Sequence, residues 1–146
     1  MEFSDSFLVN ASIKQVYSTI LDPHAISSCL PDLESMEVVD ANTFKAKFKV
    51  GLSYIRGSVT FEFTLSDKIE NKHAKLIGVG TGLSSTINIE TDFDLSENDG
   101  KTKISWTAQS IVEGLMASIG SKLVNIQTKK QIDQLIAGLQ IKLENL

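Results

Sequence analysis

The sequence has little cysteine and histidine, and each shortage excludes a class of protein. Cys29 is the only cysteine, so no internal disulfide can form, which fits a reducing, cytoplasmic compartment. His24 and His73 are the only histidines, too few and too poorly spaced with Cys29 for a zinc-type site. We therefore expect neither a metal nor another cofactor. The chain also lacks an apolar run of about 18 residues, as a transmembrane helix would need.

An excess of positive charge is absent as well. The chain has 14 Lys and Arg against 18 Asp and Glu, for a formal net charge of −4. A nucleic-acid partner needs a basic face, so none is expected. Lys45, Lys47 and Lys49 alternate with apolar residues, which indicates the solvent face of a strand. The first ten residues, MEFSDSFLVN, lack the apolar stretch of a signal peptide, so we expect no leader.

The pattern that remains is typical of an antiparallel sheet. Residues 3–9 and several segments between residues 33 and 109 alternate apolar and polar side chains, which predicts six or seven strands. Val59, Phe61 and Phe63 give the clearest example. Ser12 and Gln15 form the capping-box pattern of a short helix after the first strand, and Pro23 begins a second. Residues 98–100, Asn-Asp-Gly, predict a hairpin turn, and residues 67–71 another turn.

The last thirty residues change to a helical period. Apolar side chains recur at steps of three and four, which predicts a helix from about residue 115 to 144, bent near Gly120. One amphipathic helix can cover the apolar face of the sheet. The glycine run at residues 78–82 predicts a kink that curves the sheet. The predicted fold is α+β, in a single domain over residues 1–146, with a curved sheet wrapped around a long C-terminal helix.

A curved sheet and one helix leave apolar space between them, which is a candidate ligand cavity. The residues expected to line it as ligand-binding residues are Phe48, Val50, Tyr54, Phe61, Phe63, Ile89, Phe93, Trp106, Met116 and Ile119. For each apolar residue of this set the alternative is plain core packing. Tyr54 and Arg56 lie near the expected mouth, where they could hold a polar head group or simply be solvated.

Signatures of catalysis are weak. The glycines at residues 78–82 lack the strand–turn–helix context of a dinucleotide fingerprint. Asp92 and Asp94 share a polar strand face, so they are expected to be solvated carboxylates rather than an acid–base pair. We predict no catalytic residue and no enzymatic activity.

Several motifs resemble the CoxG family of carbon monoxide dehydrogenase subunits, which belongs to the START-like, helix-grip (SRPBCC) superfamily. The most specific are Cys-Leu-Pro at residues 29–31 and Gly-Leu-Met-Ala-Ser-Ile-Gly at residues 114–120. Asp22-Pro23, the Gly78-Val79-Gly80 strand and residues 100–106 also match, so the resemblance spans nearly the whole chain. It implies the helix-grip fold and a protein that binds a hydrophobic, quinone- or lipid-like molecule. It also implies a partner, a molybdenum hydroxylase complex of the carbon monoxide dehydrogenase type.

The sequence departs from that family at two points. Asp32 stands where family members often have glycine, and the chain ends at Leu146 without the membrane tail that many of them carry. Membrane contact is therefore expected to be peripheral at most, at the inner face, through the apolar residues 51–55. Two alternatives stay open: an assembly adaptor for such a dehydrogenase without a physiological ligand, and a small cyclase- or hydrolase-like enzyme.

Overall fold

The computed structural model describes residues 1–52 and 54–146. Within these ranges, seven strands, three α-helices and one short 3₁₀ helix follow one another. Their bounds are β1 Glu2–Val9, α1 Ile13–Ile20, α2 Pro23–Ser27, β2 Leu33–Asp40, β3 Thr43–Leu52, β4 Ile55–Ile69, β5 His73–Gly82, β6 Ser85–Asn98, β7 Lys101–Gly114, the 3₁₀ helix Leu115–Ile119 and α3 Ser121–Glu144.

All seven strands form one antiparallel sheet in the order β1-β7-β6-β5-β4-β3-β2. Strands β2 to β7 are a chain of consecutive hairpins, and β1 pairs with β7 from the other end of the sequence. This arrangement, with a long C-terminal helix and two short helices after β1, confirms the predicted α+β helix-grip fold. The sheet remains open, with β1 and β2 as its edges.

The two short helices begin as the sequence predicts. The Ser12 hydroxyl accepts a hydrogen bond from the backbone N–H of Gln15 at 3.2 Å, and the Gln15 side chain accepts one from the N–H of Ser12 at 3.3 Å. These reciprocal bonds satisfy two backbone donors that a helix start leaves without partners. Asp22 caps α2 in a similar way, accepting from the N–H of His24 at 3.0 Å. Pro23 occupies the first turn, where its missing N–H costs nothing.

Apolar side chains on the inner face of the sheet form two separate clusters. The basal cluster lies where α1, α2 and the C-terminal part of α3 meet the sheet. Its buried members are Val9, Ala11, Val16, Tyr17, Ile20, Ala74, Leu95, Ile104, Leu139 and Leu143. The upper cluster lies at the other end, beneath the 3₁₀ helix. Its buried members are Ile55, Val59, Phe61 and Met116.

The C-terminal helix is shorter than predicted, and the expectation of a helix from residue 115 is wrong. Residues Leu115–Ile119 form a 3₁₀ turn, and α3 begins only at Ser121. Gly114 and Gly120 flank this turn at φ values of 91° and 98°. Residues with side chains rarely adopt these values, so the two glycines break the helical path. The predicted turn at residues 67–71 also begins too early, because β4 continues to Ile69 through a register shift.

The glycine run in β5 has a different role from the predicted kink. Strand β5 pairs continuously with β6 from His73 to Gly82. A Cβ atom at Gly78 would lie 2.7 Å from the Phe63 ring, and one at Gly80 would lie 2.6 Å from the Phe61 ring. The glycines therefore make room for aromatic side chains of β4. Among the residues that the structure describes, no helix has the length and apolar character needed to cross a membrane.

Candidate ligand site between the sheet and helix α3

Helix α3 packs closely on the sheet at its two ends and loosely between them. Its buried residues are Val124 near the N-terminus and Leu139 and Leu143 near the C-terminus. Stepping by three or four residues from Val124 along the same face leads to Thr128 and then Ile132, which are both only partly buried. The middle of the face that α3 turns toward the sheet thus mixes polar and apolar side chains and is not tightly covered.

Many apolar side chains around the upper cluster are correspondingly only partly buried. Those on the inner face of the sheet are Phe48, Val50, Leu52, Phe63, Ile87, Ile89 and Val112, and they are joined by Leu83 from the β5–β6 turn and Ile119 from the 3₁₀ helix. Five of the predicted lining residues belong to this set: Phe48, Val50, Phe63, Ile89 and Ile119. Phe61 and Met116 are buried within the same cluster, whereas Phe93 packs against the basal cluster. The structure thus brings seven of the ten predicted residues together in the upper cluster.

Aromatic rings organise the β3–β4 side of this region. The Phe61 and Phe63 rings stack with centroids 5.3 Å apart, and Phe63 stacks in turn on Phe44 at 5.1 Å. Phe48 meets Phe61 edge-on at 5.7 Å. Such geometries stabilise aromatic pairs beyond the area they bury. The result is a continuous aromatic wall along the inner face of β3 and β4.

Tyr54 does not join the other predicted residues. Its side chain is 71% exposed beyond the β3–β4 pairing, at the same end of the sheet as the upper cluster. Arg56 is exposed as well. Ser53, part of the segment expected to contact a membrane, lies outside the described residues.

Trp106 occupies the floor of a crevice between the edge strand β1 and helix α3. The side chain is only 9% exposed, and its indole Nε1–H is buried without a hydrogen-bond partner among the described residues. A buried donor without an acceptor costs about 1–3 kcal/mol. The crevice has a volume of about 160 Å³, and its lining residues are Asp5, Ser6, Phe7, Trp106, Asp133, Ile136, Ala137 and Gln140.

Sequence reasoning placed Trp106 in the site but missed the other residues of the crevice. One signal was available on β1, where Asp5 interrupts the apolar face formed by Phe3, Phe7 and Val9. Asp5 lies directly opposite Trp106 in the β1–β7 pairing. The α3 residues carried no comparable signal, because Ala137 and Gln140 are ordinary helix residues whose neighbours depend on how the helix docks.

Two pockets in the structure do not match the expected ligand cavity between the sheet and the helix. One is too small, and the other lies elsewhere. Ligand pockets typically measure about 300–1,000 Å³, and the crevice at Trp106 is below that range. A depression of about 460 Å³ is wide enough, but it lies on the α3 surface around Ile126, Lys129, Lys130 and Gln134. This depression is open to solvent and is formed by α3 alone, so we place the candidate site at the inner face of the sheet.

The charged side chains of β5 and β6 point to the opposite, outer face. His73 lies between Asp94, 2.9 Å from its Nδ1, and Asp92, 3.6 Å from its Nε2. Lys75 Nζ lies 2.7 Å from Glu90, and this hydrogen bond raises the pKa of Lys75, helped by the nearby Asp92 carboxylate. Asp92 and Asp94 thus contact His73 and Lys75 on the outer face rather than each other. In the described part of the chain, no three His, Cys, Asp or Glu side chains form a metal-binding group.

Among the buried serine and threonine side chains of the described residues, three of the four hydroxyls have structural partners. Thr102 donates to the carbonyl of Ala11 at 2.8 Å, and Thr19 to that of Gln15 at 2.8 Å. The Ser85 hydroxyl accepts from the N–H of Met116 at 2.9 Å, which holds the 3₁₀ helix over the upper cluster. Neutral hydroxyls of this kind fasten elements together and have little acid–base capacity at neutral pH.

The family model for the carbon monoxide dehydrogenase subunit CoxG matches residues 6–144, nearly the whole length of this architecture. The chain belongs to the CoxG family. No curated protein matches it.

Solved structures share the fold of this CoxG family member over almost its full length. A conserved protein from Geobacillus kaustophilus is 24% identical with a TM-score of 0.89, covering 99% of this chain and 96% of its own. A START superfamily protein from Mycobacterium smegmatis is 15% identical with a TM-score of 0.70, covering 99% and 97%. The Zhui aromatase/cyclase from Streptomyces sp. R1128 is 10% identical with a TM-score of 0.73, covering 99% and 93%. At these identities the likeness establishes the fold alone.

Proposed function

We propose that this CoxG family member binds an apolar, quinone- or lipid-like molecule between the inner face of its sheet and helix α3, as an accessory to a molybdenum-containing carbon monoxide dehydrogenase. One observation carries the proposal. The inward apolar side chains of the upper cluster stay partly accessible because α3 packs closely only at its ends. Apolar surface that a fold leaves uncovered is a natural place for an apolar guest.

The chemistry of the region suits a guest without charge. The partly covered side chains are aromatic or aliphatic, with Phe48, Phe63 and Ile89 among them. The buried polar side chains of the described residues, with Tyr17 and Trp106 apart, are four hydroxyls: Thr19, Ser85, Thr102 and Ser110. Burying a charged group beside such a surface would cost several kcal/mol without a paired counter-charge. A neutral molecule avoids that cost.

A long guest requires helix α3 to shift, because the crevice of about 160 Å³ is too small for it. The N-terminal half of α3 is the part suited to move. Its N-cap is Gly120, which provides no side-chain hydrogen bond, and the first turn contains no acidic residue. A side-chain cap and an acidic residue in the first turn normally stabilise a helix start, and this helix has neither. The C-terminal half remains anchored in the basal cluster by Leu139 and Leu143.

The partner and the location belong to the same proposal. The family name assigns its members to carbon monoxide dehydrogenase, and we propose a molybdenum hydroxylase complex of that type as the partner. The single free cysteine fits a cytoplasmic protein. Any membrane contact would be peripheral, through exposed apolar residues near the β3–β4 turn and the 3₁₀ helix, such as Tyr54 and Leu115.

We propose a binding role without catalysis. Enzyme sites usually contain ionisable side chains whose pKa values are shifted by burial and by charged neighbours. Tyr17 is the buried group whose pKa is raised, by burial and by the Glu70 carboxylate, and its hydroxyl is bonded to the carbonyl of His73 at 3.0 Å. Tyr17 belongs to the basal cluster, away from the partly covered surface.

Native mass spectrometry of the purified protein, followed by organic extraction of what co-purifies, tests this proposal. We expect a stoichiometric apolar molecule that extraction removes and that an added quinone replaces. As a matched pair, Ile89→Asp places a charge on the partly covered surface, whereas Ile111→Asp places one at a side chain 61% exposed on the outer face of the next strand. Only the first should abolish binding. An empty protein that binds neither quinone nor fatty acid would favour the adaptor alternative.

A further inference from the structure

We propose that the outward face of helix α3 is the contact surface between two copies of this chain, which associate with their α3 helices antiparallel. This inference goes beyond the proposed function and does not depend on a guest. It rests on three features of α3: apolar side chains on the face away from the sheet, a depression along that face, and a charge pattern that is complementary to its own reverse.

Helix α3 carries apolar side chains on both of its faces. Val124 and Leu143 are buried on the face that packs against the sheet. Leu123, Ile126 and Ile141 lie on the opposite face and are exposed, Ile141 to 68%. A surface helix of a folded domain normally has one apolar stripe, which faces its core. The second stripe therefore indicates a second contact surface.

A depression of about 460 Å³ follows this outward face. It is formed by α3 alone and is open to solvent, and it extends over about 16 Å of the helix axis between Ile126 and Ala137. Packed helices fit the side-chain ridges of one into the grooves of the other, so a groove of this length suits a second helix. Its lining residues are Ile126, Lys129, Lys130, Asp133, Gln134 and Ala137.

The lining side chains match one another when the helix is turned end for end. In an antiparallel pair of α3 helices centred on the depression, positions equally far from its middle come together. Ile126 of one copy then packs on Ala137 of the other, and Lys130 lies beside Asp133. A two-fold axis makes each of these contacts occur twice, as in the self-complementary interfaces of homodimers.

The charges favour a second, antiparallel copy over other occupants. In a parallel pair, Lys129 and Lys130 would lie beside the same lysines of the other copy, and like charges repel. In the antiparallel pair each Asp133 carboxylate has Lys129 of its own helix, at 3.2 Å, and Lys130 of the second copy. Leu123 and Ile141 lie beyond this charged centre at the two ends. A lipid surface would leave the central charges without partners.

Sedimentation velocity of the delipidated protein, from micromolar to millimolar concentration, tests the inference. One helix pair buries less surface than a tight complex does, so we expect reversible dimers whose fraction rises with concentration. Ile126→Asp places a charge against Ala137 of the other copy and should raise the Kd of the dimer about tenfold or more. Ile111→Asp, at a side chain 61% exposed on the outer face of β7, is the matched control and should leave Kd unchanged.

Charge reversal tests the antiparallel pairing itself. Lys130→Glu and Asp133→Lys should each weaken the dimer about tenfold, because two ion pairs change from attraction to repulsion. The double variant restores both pairs and should dimerise about as tightly as wild type. In a parallel pair each residue would meet its own copy, so neither reversal would weaken the dimer. Circular dichroism of each variant checks that α3 remains helical.

A protein that stays monomeric at millimolar concentration would overturn the inference. A dimer weakened by Ile111→Asp but not by Ile126→Asp would also overturn it, because the interface would then be the outer face of the sheet. Single reversals without effect, or a double variant that does not recover, would refute the antiparallel contact. The proposed function fails separately, because these measurements use protein without a guest and say nothing about what the inner face of the sheet binds.

Discussion

The two ends of the groove between sheet and helix are built from similar apolar residues but are covered differently. At the basal end three helices close over the sheet, and Leu143, Val9 and Ala74 are fully buried. At the upper end a single 3₁₀ turn and the start of α3 provide the cover, and most of the cluster stays partly accessible. The comparison teaches that one end supplies stability and the other supplies surface for a guest.

A close contact between α2 and α3 seals the basal end. A Cβ atom at Gly138 would lie 3.0 Å from that of Cys29, so glycine in α3 lets the end of α2 approach the helix. Cys29 is half-buried there, packed against the basal cluster. The Cys-Leu-Pro element that pointed to the family thus has a packing role at the closed end.

The largest effect should come from the basal cluster. Leu143→Ala removes a fully buried side chain from a closed site, so the free energy of unfolding should fall by about 2–5 kcal/mol. Urea unfolding followed by Trp106 fluorescence measures it. A loss below about 1 kcal/mol, within the range of a tolerated surface change, would contradict the description of this end as closed.

The aromatic wall of the upper end should respond next. In Gly80→Ala the new Cβ would meet the Phe61 ring at 2.6 Å, and Phe61 cannot swing aside because it stacks on Phe63. We expect a loss of about 1–3 kcal/mol, as overpacking usually costs. Gly51→Ala is the matched control, since its nearest neighbour would be Arg56 Nη1 at 4.0 Å. Adding Phe61→Leu to Gly80→Ala should recover part of the lost stability. If it does not, the contact with the Phe61 ring is not the cause of the loss.

Ile89→Ala should cost less than Leu143→Ala and should depend on the guest. Ile89 is already partly accessible, so its truncation should lower the free energy of unfolding of the delipidated protein by about 1–2 kcal/mol. With the guest bound, the difference from wild type should grow, because the lost contact then includes the ligand. Thermal unfolding with and without guest measures both values. If the alanine variants at Ile89 and Leu143 lose the same free energy of unfolding, the upper end is as tightly covered as the basal end and the comparison is wrong.

The capping box of α1 should contribute about 1 kcal/mol at the basal end. Ser12→Ala removes the hydroxyl that accepts from the N–H of Gln15. Ser18→Ala is the control, because its hydroxyl only bonds back to the carbonyl of Gln15 within the helix, at 3.1 Å. Chemical denaturation of both variants should separate them; equal effects would mean that the cap adds nothing.

The smallest effect should be a loss of folding stability at alkaline pH that depends on Tyr17. Burial, and then the Glu70 carboxylate, raise the pKa of Tyr17 above its ordinary value of about 10. The folded protein holds this proton more tightly than the unfolded chain, so the stabilisation is complete below about pH 10 and is lost as pH rises through the folded-state pKa. Tyr17→Phe should flatten this decline in a series of denaturation midpoints. The pKa of Lys75 is also raised, so Lys75 adds its own loss of stability at high pH, and this loss is the same in the wild type and in Tyr17→Phe.

Much of the fold could be predicted because it depends on local pattern. Alternation of apolar residues, as at Val59, Phe61 and Phe63, identifies a strand wherever it occurs. The Ser12–Gln15 capping box and the turn at residues 98–100 are short-range chemistry as well, and both are present in the structure. These signals are sufficient for the order of elements, and the meander makes neighbours in sequence neighbours in the sheet.

The site was harder to predict because it depends on how distant elements meet. Alternation cannot distinguish a fully covered side chain such as Val59 from a partly covered one such as Ile89, since both lie on the inner face. The unpaired Nε1–H of Trp106 and the crevice beside it arise only when β1 and α3 come together. The start of α3 was misplaced because Leu115, Met116 and Ile119 continue the helical period into the 3₁₀ turn.

The pairing of β1 with β7 limits when the sheet can fold during synthesis of the chain. Glu2 lies opposite Gln109, and their side chains are bonded across a separation of 107 residues. Contacts this distant in sequence are slow to form and impossible while the second strand is still unsynthesised. During translation β1 must therefore wait until β7 has emerged, with the apolar side chains of Phe3 and Phe7 uncovered, which makes the nascent strand a natural client for a chaperone.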